Sequence, residues 1–258
     1  MDLGISGKKA IVCASSKGLG FGCATALANA GVELTLCARN EEQLNKAVAK
    51  IEEMGAKVKS VVCDITKNDG VEKVLQALPH PDILINNAGG PPPGTWQDWT
   101  NDDFLSAIQS NMLTPINLMQ KVLPSMIERK WGRIVNITSG AVKAPIPALG
   151  LSNTARAGLT GFVAGVARQV ASEGVCINNV LPGVHDTDRI KAFDEQMAKD
   201  LNISIEEARR KKASSIPVGH YGDADGFGHT CAFLCSQHAK FIIGQNIVVD
   251  GGAINATI

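Results

Sequence analysis

A glycine-rich turn near the N-terminus has the residue types needed to bind a phosphate group. Segment 13–20 reads CASSKGLG and lies between a strand-like apolar run and a helical stretch rich in small residues. Glycine lets backbone N–H groups approach an anion without a Cβ in the way, and the N-terminus of the next helix carries partial positive charge. This order of elements indicates a pyrophosphate site, although an ordinary glycine turn has the same spacing.

Two basic residues near this turn indicate which dinucleotide would fit. The second strand-like run ends in Ala38-Arg39-Asn40, where a protein that binds NAD usually carries Asp or Glu for the ribose hydroxyls. Arg39, with Lys17 inside the turn, suits a 2′-phosphate and leaves no carboxylate there to repel it. The sequence therefore favours NADP(H) over NAD(H). The alternative for Arg39 is a solvated cation at the start of a helix.

The elements that would hold these residues alternate along the whole chain. Apolar runs of strand length lie at 9–14, 32–38, 58–64, 82–88, 133–139, 175–181 and 246–252, and helical stretches at 19–30, 41–54, 68–78, 101–129, 153–173 and 224–236. Such alternation is typical of βαβ units. It predicts an α/β fold with one Rossmann-type, doubly wound sheet of seven mostly parallel strands, helices on both faces, and a single domain over 1–258. Asn40 and either Thr100 or Asn101 are predicted helix N-caps.

Two further segments are expected at the ligand-facing rim of this sheet. GGPPPG at 89–94 directly follows a strand, and the carboxyl ends of parallel strands form the ligand crevice. Two polar amphipathic stretches at 187–213 interrupt the alternation and indicate a substrate lid, the alternative being an excursion that faces another subunit or has no role. Segment 139–158, which follows the fifth strand and opens a helix, lies at the same rim and contains no tyrosine.

Composition limits the class of protein. Of the 258 residues 45% are hydrophobic and 19% charged, and 25 basic residues balance 25 acidic ones, so no net field would attract nucleic acid or an anionic membrane. We expect a soluble cytoplasmic protein, since there is neither an apolar run able to cross a bilayer nor a secretory signal. Seven scattered cysteines indicate reduced core thiols, and the Cys231/Cys235 region matches no metal-site spacing.

An ordered set of motifs makes the sequence resemble the short-chain dehydrogenase/reductase superfamily over nearly its whole length. The turn at 13–20 is similar to the family's T-G-x-x-x-G-x-G, although Cys13-Ala14 replaces Thr-Gly. The other matches are Asp64 beside adenine, Asn86-Asn87-Ala88-Gly89, the tetrad residues Asn111 and Ser139, Pro182-Gly183 with Thr187, and VVDGG at the last strand. The resemblance implies cofactor binding by Ala14, Ser15, Ser16, Lys17, Gly18, Leu19, Gly20, Arg39, Asp64, Ile65, Asn87, Ala88, Gly89, Arg156, Pro182, Gly183 and Thr187.

The sequence departs from this family at the proton donor. The family's tyrosine and lysine fall on Ser152 and Arg156, so the resemblance implies a catalytic set of Asn111, Ser139, Ser152 and Arg156. A phenol starts near pKa 10 and a neighbouring cation can lower it, whereas an aliphatic hydroxyl is far less acidic and a guanidinium stays charged. Arg156 can still bind ribose hydroxyls. The sequence therefore predicts cofactor binding without the usual proton transfer.

Lys143, His185 or an ordered water could replace the missing donor, His185 having the better intrinsic pKa. Both residues could instead be solvated loop residues, and Tyr221 is not counted as a substitute. Trp96, Trp99 and the prolines indicate apolar walls, and the predicted substrate pocket contains Pro91, Trp96, Lys143, Val184 and His185.

Three functions stay open. The first is an NADPH-dependent carbonyl reductase, similar to 3-oxoacyl-carrier-protein reductases, that reduces a carbonyl or oxidises the alcohol in reverse. The second is a non-redox enzyme of this fold, such as a dehydratase or isomerase. The third is a catalytically silent NADP-binding protein. Relatives of this kind are usually tetramers or dimers, so we expect a small-molecule substrate and a homotetramer or homodimer.

Overall fold

The computed structural model describes residues 1–256, which contain one sheet of seven strands in the order β3-β2-β1-β4-β5-β6-β7. Every pairing is parallel. The predicted seven-stranded doubly wound sheet is therefore confirmed, and "mostly parallel" becomes fully parallel. The strands are β1 (Lys9–Cys13), β2 (Glu33–Ala38), β3 (Val58–Val62), β4 (Ile83–Asn86), β5 (Gly132–Ile137), β6 (Val175–Pro182) and β7 (Asn246–Val249).

Helices cover both faces of this sheet. They are α1 (Gly18–Asn29), α2 (Glu41–Glu53), α3 (Asn68–Ala77), α4 (Asn101–Ile108), α5 (Thr114–Glu128), α6 (Gly150–Val170), α7 (Asp188–Leu201), α8 (Ile205–Ala213) and α9 (Ala224–Cys235). On one face Leu27 of α1 and Phe227 of α9 lie in a single buried cluster. On the other, Leu118 of α5 and Leu159 of α6 lie in a second cluster. Buried apolar side chains on both faces explain why the strands read as continuous hydrophobic runs.

Side-chain caps fix where several helices begin. The Asn40 side chain accepts a hydrogen bond from the Gln43 N–H, which confirms its predicted role. Thr100, rather than Asn101, caps α4 and forms a reciprocal capping box with Asp103. These caps satisfy backbone N–H groups that a helix leaves unpaired at its start.

The helical stretch predicted at 101–129 is interrupted by a wider π-helical turn over 109–113. Pro115, in the first turn of α5, has no N–H, so the carbonyl of Asn111 loses its usual helical donor. Within the same wide turn, Thr114 donates its hydroxyl to the Gln109 carbonyl at 2.8 Å. Single π-turns of this kind often occur at functional positions, and this one contains Asn111.

The cysteines are core residues, as predicted. All seven are buried and unpaired. Burial raises the pKa of Cys231 and Cys235 on α9, and Cys23 of α1 lies against Cys231. No helix within residues 1–256 combines the length and apolar composition that crossing a bilayer requires.

The turn after β1 contains a strained residue. Ala14 has φ +46°, in the left-handed region that an alanine adopts at a cost of roughly 1 kcal/mol. The family resemblance places glycine here, which would adopt this φ without strain. The replacement of glycine by Ala14 is therefore accommodated, with the strain held by neighbouring contacts.

A row of asparagines links four neighbouring strands inside the sheet. Asn86, Asn136, Asn179 and Asn246 are in register on β4, β5, β6 and β7. The Asn86 amide donates to Asn136 Oδ1 at 2.8 Å, Asn136 to Asn179 Oδ1 at 3.1 Å, and Asn179 to Asn246 Oδ1 at 2.9 Å. Each side-chain NH2 group donates to the Oδ1 of the asparagine on the next strand. The row ends at Asn86 Oδ1, which has no hydrogen-bond partner within the described residues.

We expect Asn136→Leu to destabilise the protein by about 2–4 kcal/mol, because it leaves the Asn86 amide and Asn179 Oδ1 buried without partners. Urea unfolding of Asn246→Ala is the matched control, since Asn246 lies at the half-exposed end of the row and its loss should cost less than about 1 kcal/mol. Equal destabilisation by the two substitutions would contradict this interpretation.

Candidate active site

The carboxyl ends of the parallel strands bring the predicted functional residues to one edge of the sheet. The glycine-rich turn follows β1, Arg39 follows β2, and Asp64 follows β3. Segment 87–90, Ser139 and Gly183 follow β4, β5 and β6. The topology therefore places them around one crevice.

The glycine-rich turn is held by internal hydrogen bonds. Ser15 is fully buried, and its hydroxyl donates to the Val12 carbonyl at 2.8 Å while its N–H donates to the Cys37 carbonyl at 3.1 Å. The Asn87 amide donates to the Ala14 carbonyl at 3.3 Å. Ser15, predicted to bind the cofactor, thus has its side chain occupied in fixing the turn.

Gly20 is required by close approach rather than by its φ. A Cβ at Gly20 would lie 2.3 Å from the Ala14 carbonyl oxygen and 2.8 Å from the Asn87 amide. Helix α1 begins at Gly18, and the side chain of Lys17 at its N-cap forms no capping hydrogen bond. The first N–H groups of α1 therefore face the crevice without a side-chain acceptor, which fits a bound pyrophosphate.

The two predicted phosphate-binding cations differ in the structure. Arg39 is exposed, and within residues 1–256 it forms no ion pair. Lys17 instead pairs with Asp188 in the first turn of α7, with Nζ and the carboxylate oxygen 2.8 Å apart. Arg39 is therefore available for a 2′-phosphate, whereas Lys17 is engaged by Asp188 of segment 187–213, and its predicted role at the phosphate stays a prediction.

The acidic position after β3 is also ordered by its neighbours. Asp64 Oδ1 accepts hydrogen bonds from the Thr66 N–H at 3.0 Å and hydroxyl at 2.8 Å. The next residue, Ile65, is buried and lines a small cavity that reaches Asn87 and Ala88. These residues form the part of the crevice that the resemblance assigns to the adenine side.

Ser152 and Arg156 form a buried pair on one face of α6. Arg156 Nε donates to the Ser152 hydroxyl at 3.2 Å, and its Nη1 donates to the Ile137 carbonyl of β5 at 2.8 Å. Both side chains are nearly inaccessible. Burial, followed by the positive charge of Arg189, lowers the pKa of Arg156 to about 10, so the guanidinium stays charged at neutral pH.

Asn111 lines the same small cavity as Arg156, and Ser139 follows β5, the strand whose Ile137 carbonyl accepts from Arg156. Asn111 donates to the Ser110 hydroxyl at 2.7 Å and to the Gly89 carbonyl at 3.4 Å, while its buried Oδ1 has no partner in the described chain. The half-buried Ser139 hydroxyl accepts from the Ala141 N–H at 3.1 Å, so its proton can point elsewhere. Asn111, Arg156 and Asn86 line the same small cavity, whose unpaired oxygens suit a donor such as water.

Two ionisable side chains that follow β6 in the chain, His185 and Tyr221, are each engaged by neighbouring residues. His185 is buried, lies edge-to-face on Phe227 at 5.1 Å, and approaches the Gly183 carbonyl with Nδ1 at 3.3 Å. Burial lowers its pKa, so it is neutral at pH 7. This burial contradicts the interpretation of His185 as a solvated loop residue, whereas its role as a replacement proton donor stays a prediction. The Tyr221 hydroxyl donates to the Asp194 carboxylate at 3.0 Å, and burial raises its pKa.

The predicted substrate walls are only partly assembled. Pro91 is buried and Val184 half-buried, whereas Lys143 is exposed. Trp96 is 80% exposed, which contradicts its expected place in an apolar wall. Trp99, by contrast, is partly buried and packs edge-to-face against Phe104 beside a small core cluster. The sequence offers two tryptophans in one loop and no pattern that distinguishes them.

The segment 187–213 forms two helices, as predicted, and is fastened to the crevice. Thr187 precedes α7 and lies against Gly18. The Thr187 Cγ2 atom lies 3.5 Å from the position that a Cβ on Gly18 would take. Arg189 donates to the carbonyls of Gly90 at 2.8 Å and Pro91 at 3.0 Å. Sequence reasoning missed Arg189, although its place two residues after Thr187 was an available signal.

A buried carboxylate joins the two helices of this segment. Asp194 of α7 is fully buried and accepts from Arg209 at 3.2 Å and Lys212 at 3.4 Å, besides Tyr221. Arg209 also pairs with Asp186 at 3.0 Å. This network orients α7, and hence Arg189, relative to the crevice.

Comparisons with known proteins agree with this geometry. The family model described as enoyl-(acyl carrier protein) reductase matches residues 13–254. A 3-oxoacyl-[acyl-carrier-protein] reductase of Vibrio harveyi is 33% identical, with 97% of this chain and 98% of the relative covered. The enzyme of the same name from Escherichia coli is 31% identical, with 97% and 98% covered.

Among solved structures, the L-sorbose reductase from Gluconobacter frateurii complexed with NADPH and L-sorbose has a TM-score of 0.94 at 26% identity, covering 99% of this chain and 100% of that one. A single-substitution variant of actinorhodin polyketide ketoreductase, solved with NADPH, has a TM-score of 0.90 at 26% identity, with 97% and 98% covered. The chain therefore belongs to the short-chain dehydrogenase/reductase superfamily.

Proposed function

We propose that this protein is an NADPH-dependent carbonyl reductase in which a water, rather than a tyrosine, completes proton transfer. The observation that carries the proposal is the small cavity that Asn111 and the charged Arg156 share, at the sheet edge where Ser139 follows β5 and the glycine-rich turn follows β1. The similarity to ketone-reducing enzymes crystallised with NADPH supports it. The proposal covers the reverse alcohol oxidation as well.

The residues of the crevice fit a nicotinamide dinucleotide. The open N-terminus of α1 and the Gly18–Gly20 turn would hold the pyrophosphate, and Arg39 the 2′-phosphate. Asp64 would lie beside adenine, and Arg156 would bind the nicotinamide ribose with N–H groups not used by Ser152 and Ile137. Thr187 and Gly183 would cover the nicotinamide end of the dinucleotide. When bound, the nicotinamide supplies the hydride.

The chain's own residues would then polarise the carbonyl and stabilise the charge on its oxygen. The Ser139 hydroxyl, whose oxygen accepts from Ala141, is oriented to donate to the carbonyl oxygen. As the carbonyl carbon gains the hydride, the oxygen becomes an alkoxide, which a nearby buried guanidinium stabilises. The alkoxide takes its proton from a water held at Asn111, and the resulting hydroxide is reprotonated from solvent. Ser152 positions Arg156 through the 3.2 Å bond and donates no proton itself.

A catalytically silent NADP-binding protein is the second candidate. It is favoured by one observation: around Ser139 and Arg156, the described residues offer no exposed group with a pKa near neutrality, since His185 is buried against Phe227. Saturable NADPH binding with no turnover of any carbonyl would select it. Product formation without net loss of NADPH would instead select a dehydratase or isomerase on the same scaffold.

The proposal extends to assembly and location. Leu105 on α4 is 63% exposed and Phe241 before β7 is 98% exposed. Large apolar side chains in these positions support a homodimer or homotetramer that covers them. A reduced state for the buried cysteines is in keeping with the cytoplasm.

We expect Ser139→Ala to lower NADPH-dependent ketone reduction by about 100-fold or more, because it removes the donor to the developing oxyanion. Absorbance of NADPH measured over a panel of ketones tests this. Ser60→Ala, an exposed strand position, is the control and should leave the rate unchanged. Full activity of the Ser139 variant would contradict the proposed role.

We expect the double substitution Ser152→Tyr with Arg156→Lys to raise the ketone reduction rate at least about 10-fold. A phenol beside a lysine restores a donor whose pKa a cation can lower toward the working pH. NADPH affinity, measured by fluorescence titration of the same samples, separates cofactor loss from a chemical effect. Retained affinity without any gain in rate would argue against a reductase pocket.

A further inference from the structure

Two guanidinium groups at the crevice have no acidic partner. Within residues 1–256, neither Arg156 nor Arg189 takes part in an ion pair, although several lysines and arginines around them do. Arg156 bonds only a hydroxyl and a carbonyl, and Arg189 bonds only two carbonyls. Each has N–H groups to spare.

The acidic groups nearest in sequence are already engaged. Asp188, beside Arg189, pairs with Lys17 at 2.8 Å. Asp186 and Asp194 pair with Arg209, at 3.0 and 3.2 Å. The acidic groups beside Arg189 are thus engaged with other cations, and Arg189 has no acidic partner in the described chain.

The fold brings Arg189 to the same rim as Arg156. Arg189 donates to the Gly90 and Pro91 carbonyls, and the adjoining Gly89 carbonyl accepts from Asn111, which lines the cavity with Arg156. The approach depends on glycine, because a Cβ at Gly90 would lie 2.5 Å from Arg189 Nη1. The charge of Arg189 is close enough to contribute to the lowered pKa of Arg156.

Two like charges at a partly buried rim repel one another and lose hydration, which an anion between them would offset. Guanidinium groups are well suited to carboxylates, since their N–H groups can bind both oxygens. Lys143, exposed after Ser139 and without an ion pair in the described chain, adds to the positive charge of this rim. The neutral, buried His185 does not.

We propose that the substrate is a small oxo acid whose carboxylate binds at Arg189, on the rim that also carries the charge of Arg156, while its carbonyl lies at Ser139. The placement of the carbonyl rests on the proposed reductase function, whereas the carboxylate site rests on the two arginines alone. A cofactor pyrophosphate is the other possible source of an anion here. Measuring the oxo acid against protein already saturated with NADP⁺ separates the two.

The test is calorimetric titration of the NADP⁺-saturated protein with pyruvate, acetoacetate and 4-oxopentanoate, each paired with its methyl ester. At least one acid should bind about 10- to 100-fold more tightly than its ester, the effect of a charge-assisted hydrogen bond. Arg189→Gln should remove that preference and leave ester affinity unchanged. Lys199→Gln, which removes an exposed charge from the same helix, is the matched control and should retain it.

Equal affinity within all three pairs, or no binding of any probe, would overturn the inference. So would an Arg189→Gln variant that loses NADP⁺ affinity and keeps the preference for the acid, since Arg189 would then serve the cofactor. Turnover of esters without any preference for acids would leave the reductase function standing and defeat only the oxo-acid assignment. Tight binding of an acid without turnover would leave the carboxylate site standing and would defeat the reductase function.

Discussion

The tight turn between β1 and α1 is the constraint on which the rest of the crevice depends. The Ala14 carbonyl lies so close to Gly20 that no Cβ fits between them, and the same carbonyl accepts the Asn87 amide. This contact draws the start of α1 against the end of β4 and leaves the first N–H groups of the helix free for an anion. The strain of Ala14 at φ +46° is held by this packing.

From that turn the crevice extends to Arg156, a residue that can bind a ligand but cannot transfer a proton. Arg156 is buried, charged and tied to Ser152 and the Ile137 carbonyl, so it can hold a sugar hydroxyl or an anion but cannot relay a proton. The unpaired oxygens of Asn86 and Asn111 provide a place for water beside it. Segment 187–213 adds Arg189, which gives the site a positive charge in excess of what a neutral carbonyl compound needs.

The sequence predicts the parts of this structure that depend on periodicity and local spacing. Apolar runs give all seven strands, and Asn40 is recognisable as a cap because its effect is local. It does not predict the π-turn at 109–113, which depends on Pro115 and on Asn111 facing the cavity. Nor does it give the directions of His185, Trp96 and Arg189, because each depends on packing partners distant in sequence.

We expect a nicotinamide dinucleotide to bind at the β1–α1 turn with its 2′-phosphate at Arg39. Calorimetric titration of the purified protein with NADPH and NADH tests this most directly. We predict saturable binding of NADPH, tighter than that of NADH by about 10-fold or more, as expected for a phosphate held by a guanidinium. Absence of any heat of binding with either coenzyme would contradict it.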